Sequence, residues 1–130
     1  MTTPLWCLLI VALLPFPLAF LGGYFKTRQF GRADNKNPRE QASRLEGAGA
    51  RAVAAQANAW EALGVFTAAQ VVLHFANPEA ARGSTAANLS LVFLAARIAH
   101  PIFYLANIDI ARSLVWLLGM ACVVWLFVLA

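Results

Sequence analysis

Residues 97–113 read RIAHPIFYLANIDIARS. They set Arg97, His100 and Tyr104 at the end of an apolar stretch, residues 84–107, that is long enough to cross a bilayer. A charged side chain at the centre of a membrane helix costs about 2.5–3.5 kcal/mol on insertion scales, so an arginine there needs a partner. The spacing i, i+3, i+7 puts the three side chains on one face of a helix. A facing helix must then offer polar groups at the same depth. Residues 48–75 offer Asn58 and Glu61. Two antiparallel spanning helices that share a polar seam follow from this pairing.

The rest of the chain agrees with a membrane fold. Of 130 residues, 61% are hydrophobic and only 12% charged, too apolar for an ordinary soluble domain of this size. Four stretches of about 20 or more mostly apolar residues can span a bilayer. They fall at 4–24, 48–75, 84–107 and 110–130. The expected fold is therefore all-α and integral to the membrane, a four-transmembrane-helix bundle in one domain over residues 1–130. The first stretch has no Lys or Arg before it and is long for a cleaved signal, so it reads as a retained helix loosened by Pro15 and Pro17. Period-two alternation, the mark of a barrel, is absent.

The net charge of +4 is concentrated between the first two helices, at Lys26, Arg28, Arg32, Lys36, Arg39 and Arg44. Such a cluster can suggest nucleic-acid binding. Beside membrane helices it reads instead as an orientation signal, which places the 25–47 loop in the cytoplasm and both termini outside. Within the loop, GRADNKNPRE holds turn formers, and Pro38 biases Asn37 away from helix. The segment is either a tight interfacial turn or a folded cap over a site at the cytoplasmic helix ends. Cys7 and Cys122 lie inside spans without CxxC or metal-ligand spacing and read as packing residues.

Depth can be estimated from helical rise. Counting from Ala50, Asn58 lies about 12 Å and Glu61 about 16 Å along the second span. Counting back from Asn107, Tyr104 lies about 5 Å, His100 about 10 Å and Arg97 about 15 Å along the third. Glu61 and Arg97 share one depth, and Asn58 and His100 another. Arg51 and Arg112 stand nearer the cytoplasmic mouth. Pro101 removes the N–H that would bond the Arg97 carbonyl, which leaves an acceptor and a kink beside the cluster. Taken singly, each residue has a plain structural reading: an ion pair, an interhelical amide, a buried histidine, an interface tyrosine. Together they make an acid, an amide, several guanidiniums, an imidazole and a phenol, which suits a ligand site.

Guanidiniums bind carboxylates in bidentate fashion, and Glu61 could receive an amino group. A small zwitterionic peptide with several carboxylates fits, and glutathione is the cytosolic candidate. A nearby guanidinium or hydroxyl would favour its thiolate. The apolar helix walls suit a lipophilic second substrate. No metal centre is expected, since His74 and His100 lie at different depths and no HExxH or Cys/His cluster occurs. Neither a nucleophile elbow nor a Gly-rich nucleotide loop is present.

At these residues the chain resembles the MAPEG family, the membrane-associated proteins in eicosanoid and glutathione metabolism. RAVAAQANAWEA resembles the family's second-helix motif, with Asn58 and Glu61 as its Asn-x-x-Glu. RIAHPIFYLANIDIARS is similar to the helix-three signature of microsomal prostaglandin E synthase. DNKNPR is similar to bacterial members. The resemblance implies a homotrimer with glutathione bound between subunits, and glutathione S-transferase-like or peroxidase-like activity on lipophilic electrophiles. By carry-over, Asn58, Glu61, Arg97, His100 and Tyr104 would contact glutathione; Arg51, nearly one turn before the motif's Arg position but on the same face, is a further expected contact. Arg112, Ser113 and Tyr104 would stand at the thiol. The chain departs from the pattern at Ala54, where eukaryotic enzymes carry the motif's Arg, in a shorter turn before Arg112, and at Trp116, where the prostaglandin synthase has Tyr. The alternative is a non-catalytic binding or assembly protein that kept the fold. A small multidrug-type transporter ranks below both, because residues 4–24 hold no acidic residue. The bacterial inner membrane is the expected location.

Overall fold

The computed structural model describes residues 1–130, all of its regular structure helical. Four of its helical segments are long and apolar enough to span a membrane. The first comprises α1 (Thr3–Leu13) and α2 (Pro15–Phe30), joined at Leu14. Leu14 keeps helical dihedrals (φ −58°, ψ −36°), so the chain runs on through the junction. Pro15 and Pro17 lack N–H donors, and the break in the hydrogen-bond ladder falls at the first of them.

This first span outruns its expected end near Tyr24 by six residues. Nothing in FKTRQF breaks a helix, because Lys, Arg and Gln are good helix formers whose heads extend into the polar boundary. The stop comes at Gly31, which takes φ 83° and returns its N–H to the Thr27 carbonyl at 2.9 Å. The segment that follows is folded rather than featureless. Asp34 accepts the amides of Lys36 (2.8 Å) and Asn37 (3.2 Å). The Gln41 side chain accepts from Asp34 N and donates to Arg32 O. A short helix, α3 (Pro38–Ser43), follows, carrying the exposed Arg44–Glu40 ion pair at its end.

Helix α4 (Gly47–Ala76) is the central element, touching α1, α2, α6 and α7. Its buried positions include Gly49, Ala52, Ala55, Ala59, Ala62 and Ala69. Small residues at three- and four-residue spacing let membrane helices approach closely, which replaces the hydrophobic drive absent in lipid. At Gly49 an added Cβ would lie 3.0 Å from Leu45 Cδ2 and 3.1 Å from Phe25 Cβ. Asn77 ends α4 and starts α5 (Pro78–Arg82), accepting from Ala80 N and donating to Leu129 O, both at 3.1 Å.

Helices α6 (Ser84–Leu105) and α7 (Asp109–Leu129) form an antiparallel hairpin, and α6 continues through Pro101. The end of the bundle that carries α3 is the loop end, and the end with α5 the far end. The main core holds the stacked rings of Phe66 and Phe93, 4.1 Å apart, with Leu73, Leu126, Val11, Cys7 and Cys122. Both cysteines are free and buried among these apolar side chains. One polar pair enters the interior away from the loop end: Gln70 Nε2 donates to Ser90 Oγ at 3.0 Å, and Ser90 donates to Ala86 O at 2.7 Å.

Candidate functional site

The polar residues of α4, α6 and α7 converge in the loop-end half of the bundle. Asn58 is their hinge point. Arg97 Nη2 donates to Asn58 Oδ1 at 2.7 Å, and Asn58 Nδ2 donates to Glu61 Oε2 at 3.2 Å. Only one orientation of the amide satisfies both neighbours, with its oxygen toward the guanidinium and its nitrogen toward the carboxylate. Glu61 and Arg97 share a depth, yet they are linked through this amide and make no direct ion pair; the only ion pair in the chain is Arg44–Glu40. Arg97 is 4% exposed, whereas Glu61 lies on the outer surface of the single chain.

A second set of contacts runs toward the loop end. His100 is 3% exposed, and its ring meets that of Tyr104 edge-on at 5.6 Å. The Arg112 guanidinium lies over the other aromatic of this pair, 4.5 Å from the Tyr104 centroid. Tyr104 itself packs on Leu18, Ala55 and Ala59. The turn that brings Arg112 here depends on Asn107, which adopts φ 61°. Asparagine tolerates that left-handed conformation better than most residues. With it, Ile108 N bonds Phe103 O at 2.9 Å and Asn107 N bonds Tyr104 O at 3.1 Å, the two bonds of a Schellman stop.

Two concavities meet at this cluster. One, of about 440 Å³, is lined by Asn58, His100, Tyr104, Arg112, Ser113, Trp116 and Leu117. The other, of about 130 Å³, is lined by Asn58, Glu61, Ala62, Val65, Phe93, Arg97, Trp116, Gly119 and Met120. Asn58 and Trp116 line both, so the polar chamber and the more apolar crevice are neighbours. A larger hollow, of about 540 Å³, lies in the 30–41 loop. Its Asp34 and Gln41 groups are already committed to turn hydrogen bonds, which makes it a product of the turn. No residue of that loop lines either of the two inner concavities, so within one chain the loop does not cover them.

Of the residues singled out in the sequence, Asn58, Glu61, Arg97, His100, Tyr104, Arg112 and Ser113 line one or both concavities. Arg51 does not. Its Nε donates to the Leu105 carbonyl at 3.3 Å, at the end of α6. Trp116, noted in the sequence only as a departure, stands between the two spaces, with Gly119 and Met120 beyond it. The signal for Trp116 and Met120 is the helical period: 112, 116 and 120 recur every four residues on one face of α7.

The chemistry of the lining suits an anionic peptide ligand with an amino group. Arg112 and Arg97 can meet carboxylates or a thiolate, Glu61 an ammonium, and Tyr104 and Ser113 supply hydroxyl donors. His100 Nδ1 is buried without a protein partner, although its residue lines the chamber. A buried unpaired ring nitrogen is costly, and a ligand group would satisfy it. No three His, Cys, Asp or Glu side chains come together as metal ligands would.

Four apolar spans and an intramembrane polar centre define a helical integral membrane protein. The sequence model of the MAPEG family matches residues 3–130, essentially the whole chain, and the protein belongs to that family. Its function at family level is therefore membrane-bound glutathione or eicosanoid metabolism. No curated protein and no solved structure matches the chain.

Proposed function

We propose that this protein is a glutathione-dependent membrane transferase or peroxidase-like enzyme that acts on lipophilic electrophiles. The observation that carries the reading is the stack of Arg112 on Tyr104 in a chamber that also holds Ser113, His100 and Asn58. A guanidinium there lowers the pKa of a thiol beside it by favouring the charged form. When bound, glutathione would supply the sulfur nucleophile. Arg112 would hold the sulfur charge, and Tyr104 or Ser113 would donate a hydrogen bond to it. Glu61, Asn58, Arg97 and His100 would hold the peptide's charged ends. The crevice past Trp116 would admit the lipophilic partner from the bilayer.

The active form in this reading is a homotrimer with glutathione between subunits. Its support in the chain is Glu61, a carboxylate at the outer surface of a spanning helix. Facing acyl chains would be costly, and a neighbouring copy removes that cost. The basic residues from Lys26 to Arg44 support a loop end in the cytoplasm, where glutathione is, with both termini outside. By its DNKNPR segment we assign the protein to a bacterial inner membrane.

Thiolate absorbance on rapid mixing of the purified protein with glutathione tests the reading. A thiolate signal that vanishes in Arg112→Ala is the expected result; no signal in the wild type would sink it. Ala54 and Trp116 favour a second reading, a binding or assembly protein that retained the fold without the chemistry. Calorimetry separates the two: glutathione binding lost in Glu61→Gln and Arg97→Ala, with no thiolate in the wild type, selects the second.

A further inference from the structure

Every carbonyl in the last turn of α6 but one is bonded by the amides of the turn that follows it. The carbonyl of Ile102 takes Ala106 N at 3.0 Å, that of Phe103 takes Ile108 N, and that of Tyr104 takes Asn107 N. Leu105 O is left over by the Schellman stop, as the last carbonyls of a helix always are in part. Its partner comes from α4: Arg51 Nε, 54 residues away in sequence, at 3.3 Å. The last turn of α6 contains no basic residue of its own, so Arg51 also brings the cation that the negative end of a helix favours.

We propose that Arg51 is a positioning residue that clamps the end of α6 and so fixes Tyr104 and Arg112 over the thiol site. The inference rests on the functional reading above for its catalytic consequence, though not for the clamp. Leu105 adjoins Tyr104, whose ring carries Arg112. The turn that follows launches α7, where Arg112 N bonds Ile108 O at 3.1 Å. A shift of the α6 terminus moves the ring, the turn and the guanidinium together. Within one chain Arg51 lines neither inner concavity, and its Nε is turned to the Leu105 carbonyl instead.

Two substitutions split the roles by atom position. Glutamine carries an N–H group the same number of bonds from Cα as the arginine Nε, so Arg51→Gln keeps the clamp donor and deletes the charge. Lysine has a methylene at that position and its ammonium one bond further out, so Arg51→Lys keeps the charge and moves the donor off the clamp position. The readouts are the pH midpoint of thiolate formation, kcat and KM for glutathione, and amide hydrogen exchange over residues 106–110 without ligand.

The expected order is that Arg51→Lys and Arg51→Ala raise the thiolate midpoint by about one pH unit, lower kcat more than they raise KM, and speed exchange in the turn. Arg51→Gln stays nearer the wild type on all three. The inference is overturned if Arg51→Lys retains function while Arg51→Gln raises KM, which is the pattern of a carboxylate contact. It is also overturned if turn exchange is the same in all variants. If the wild type forms no thiolate at all, the functional reading fails, and the exchange data still decide the clamp.

Discussion

At the residue scale, the site depends on a few side chains whose alternatives are poor. Asn58 joins a buried cation to an exposed acid, and no other residue type offers an acceptor and a donor in that planar arrangement except glutamine, which is longer. Asn58→Ala leaves Arg97 Nη2 without its acceptor. Hydrogen bonds to charged groups contribute about 1.5–3 kcal/mol, less in membrane bundles where other partners are found. The expected loss is about 1–2 kcal/mol, read by thermal or denaturant unfolding in detergent, together with weaker glutathione binding. Asn107 is held at φ 61°, so Asn107→Ala should cost about 1 kcal/mol and Asn107→Gly should not destabilise the turn. Unfolding of both variants under the same conditions checks the sign.

Asp34 provides a pH test at the same scale. The amides of Lys36 and then Asn37 hold its carboxyl below the ordinary value of 3.8. A depressed carboxylate pKa contributes stability above the unfolded value, and that contribution fades as the pH falls through the folded value. The 31–37 turn should therefore show constant amide protection from neutral pH down to about 4, and lose it below. Asp34→Asn should show reduced protection throughout and no such step. A step that survives in Asp34→Asn would mean that another group supports the turn.

At the element scale, membrane helices cannot rely on water to drive them together, so α4 packs by closeness. Its alanine seam brings α2, α6 and α7 against one rod. Gly49→Val would push a branched side chain into Leu45 and Phe25, where even a single added Cβ would be closer than ordinary contact. It should destabilise the α2–α4 end by about 1–3 kcal/mol, and limited proteolysis of the 31–46 segment should quicken. Ser90→Ala tests the α4–α6 junction in the interior. It strands the Gln70 amide in the core, an expected cost of about 1–3 kcal/mol with the loop-end site intact. Glutathione affinity should stay near the wild-type value even as unfolding shifts.

At the scale of the whole molecule, the bundle divides its labour. One region is a dry core around Phe66 and Phe93, and the loop end gathers the ionisable groups. Its outer surface carries Trp60, Val65 and Glu61 on one span. Covering that surface with a second copy is the expected role of assembly. Native mass spectrometry should give a three-chain species, and Glu61→Lys should weaken it more than Glu61→Gln. A stable single-chain species from the wild type in a mild detergent would count against assembly at this surface.

What the sequence determined by itself is periodic or compositional. Four apolar runs had to be spanning helices, because a backbone in hydrocarbon can satisfy its hydrogen bonds only locally. Glu61 could be placed at the depth of Arg97, and Asn58 at that of His100, because rise per residue is constant. The tertiary structure alone decided how those groups are wired. That Asn58 stands between Glu61 and Arg97, that Arg51 turns to a carbonyl, and that Trp116 parts two hollows all depend on rotamers and on helix rotation. These are set by side-chain packing across elements, where no spacing along one chain segment can specify which of several polar neighbours is within reach.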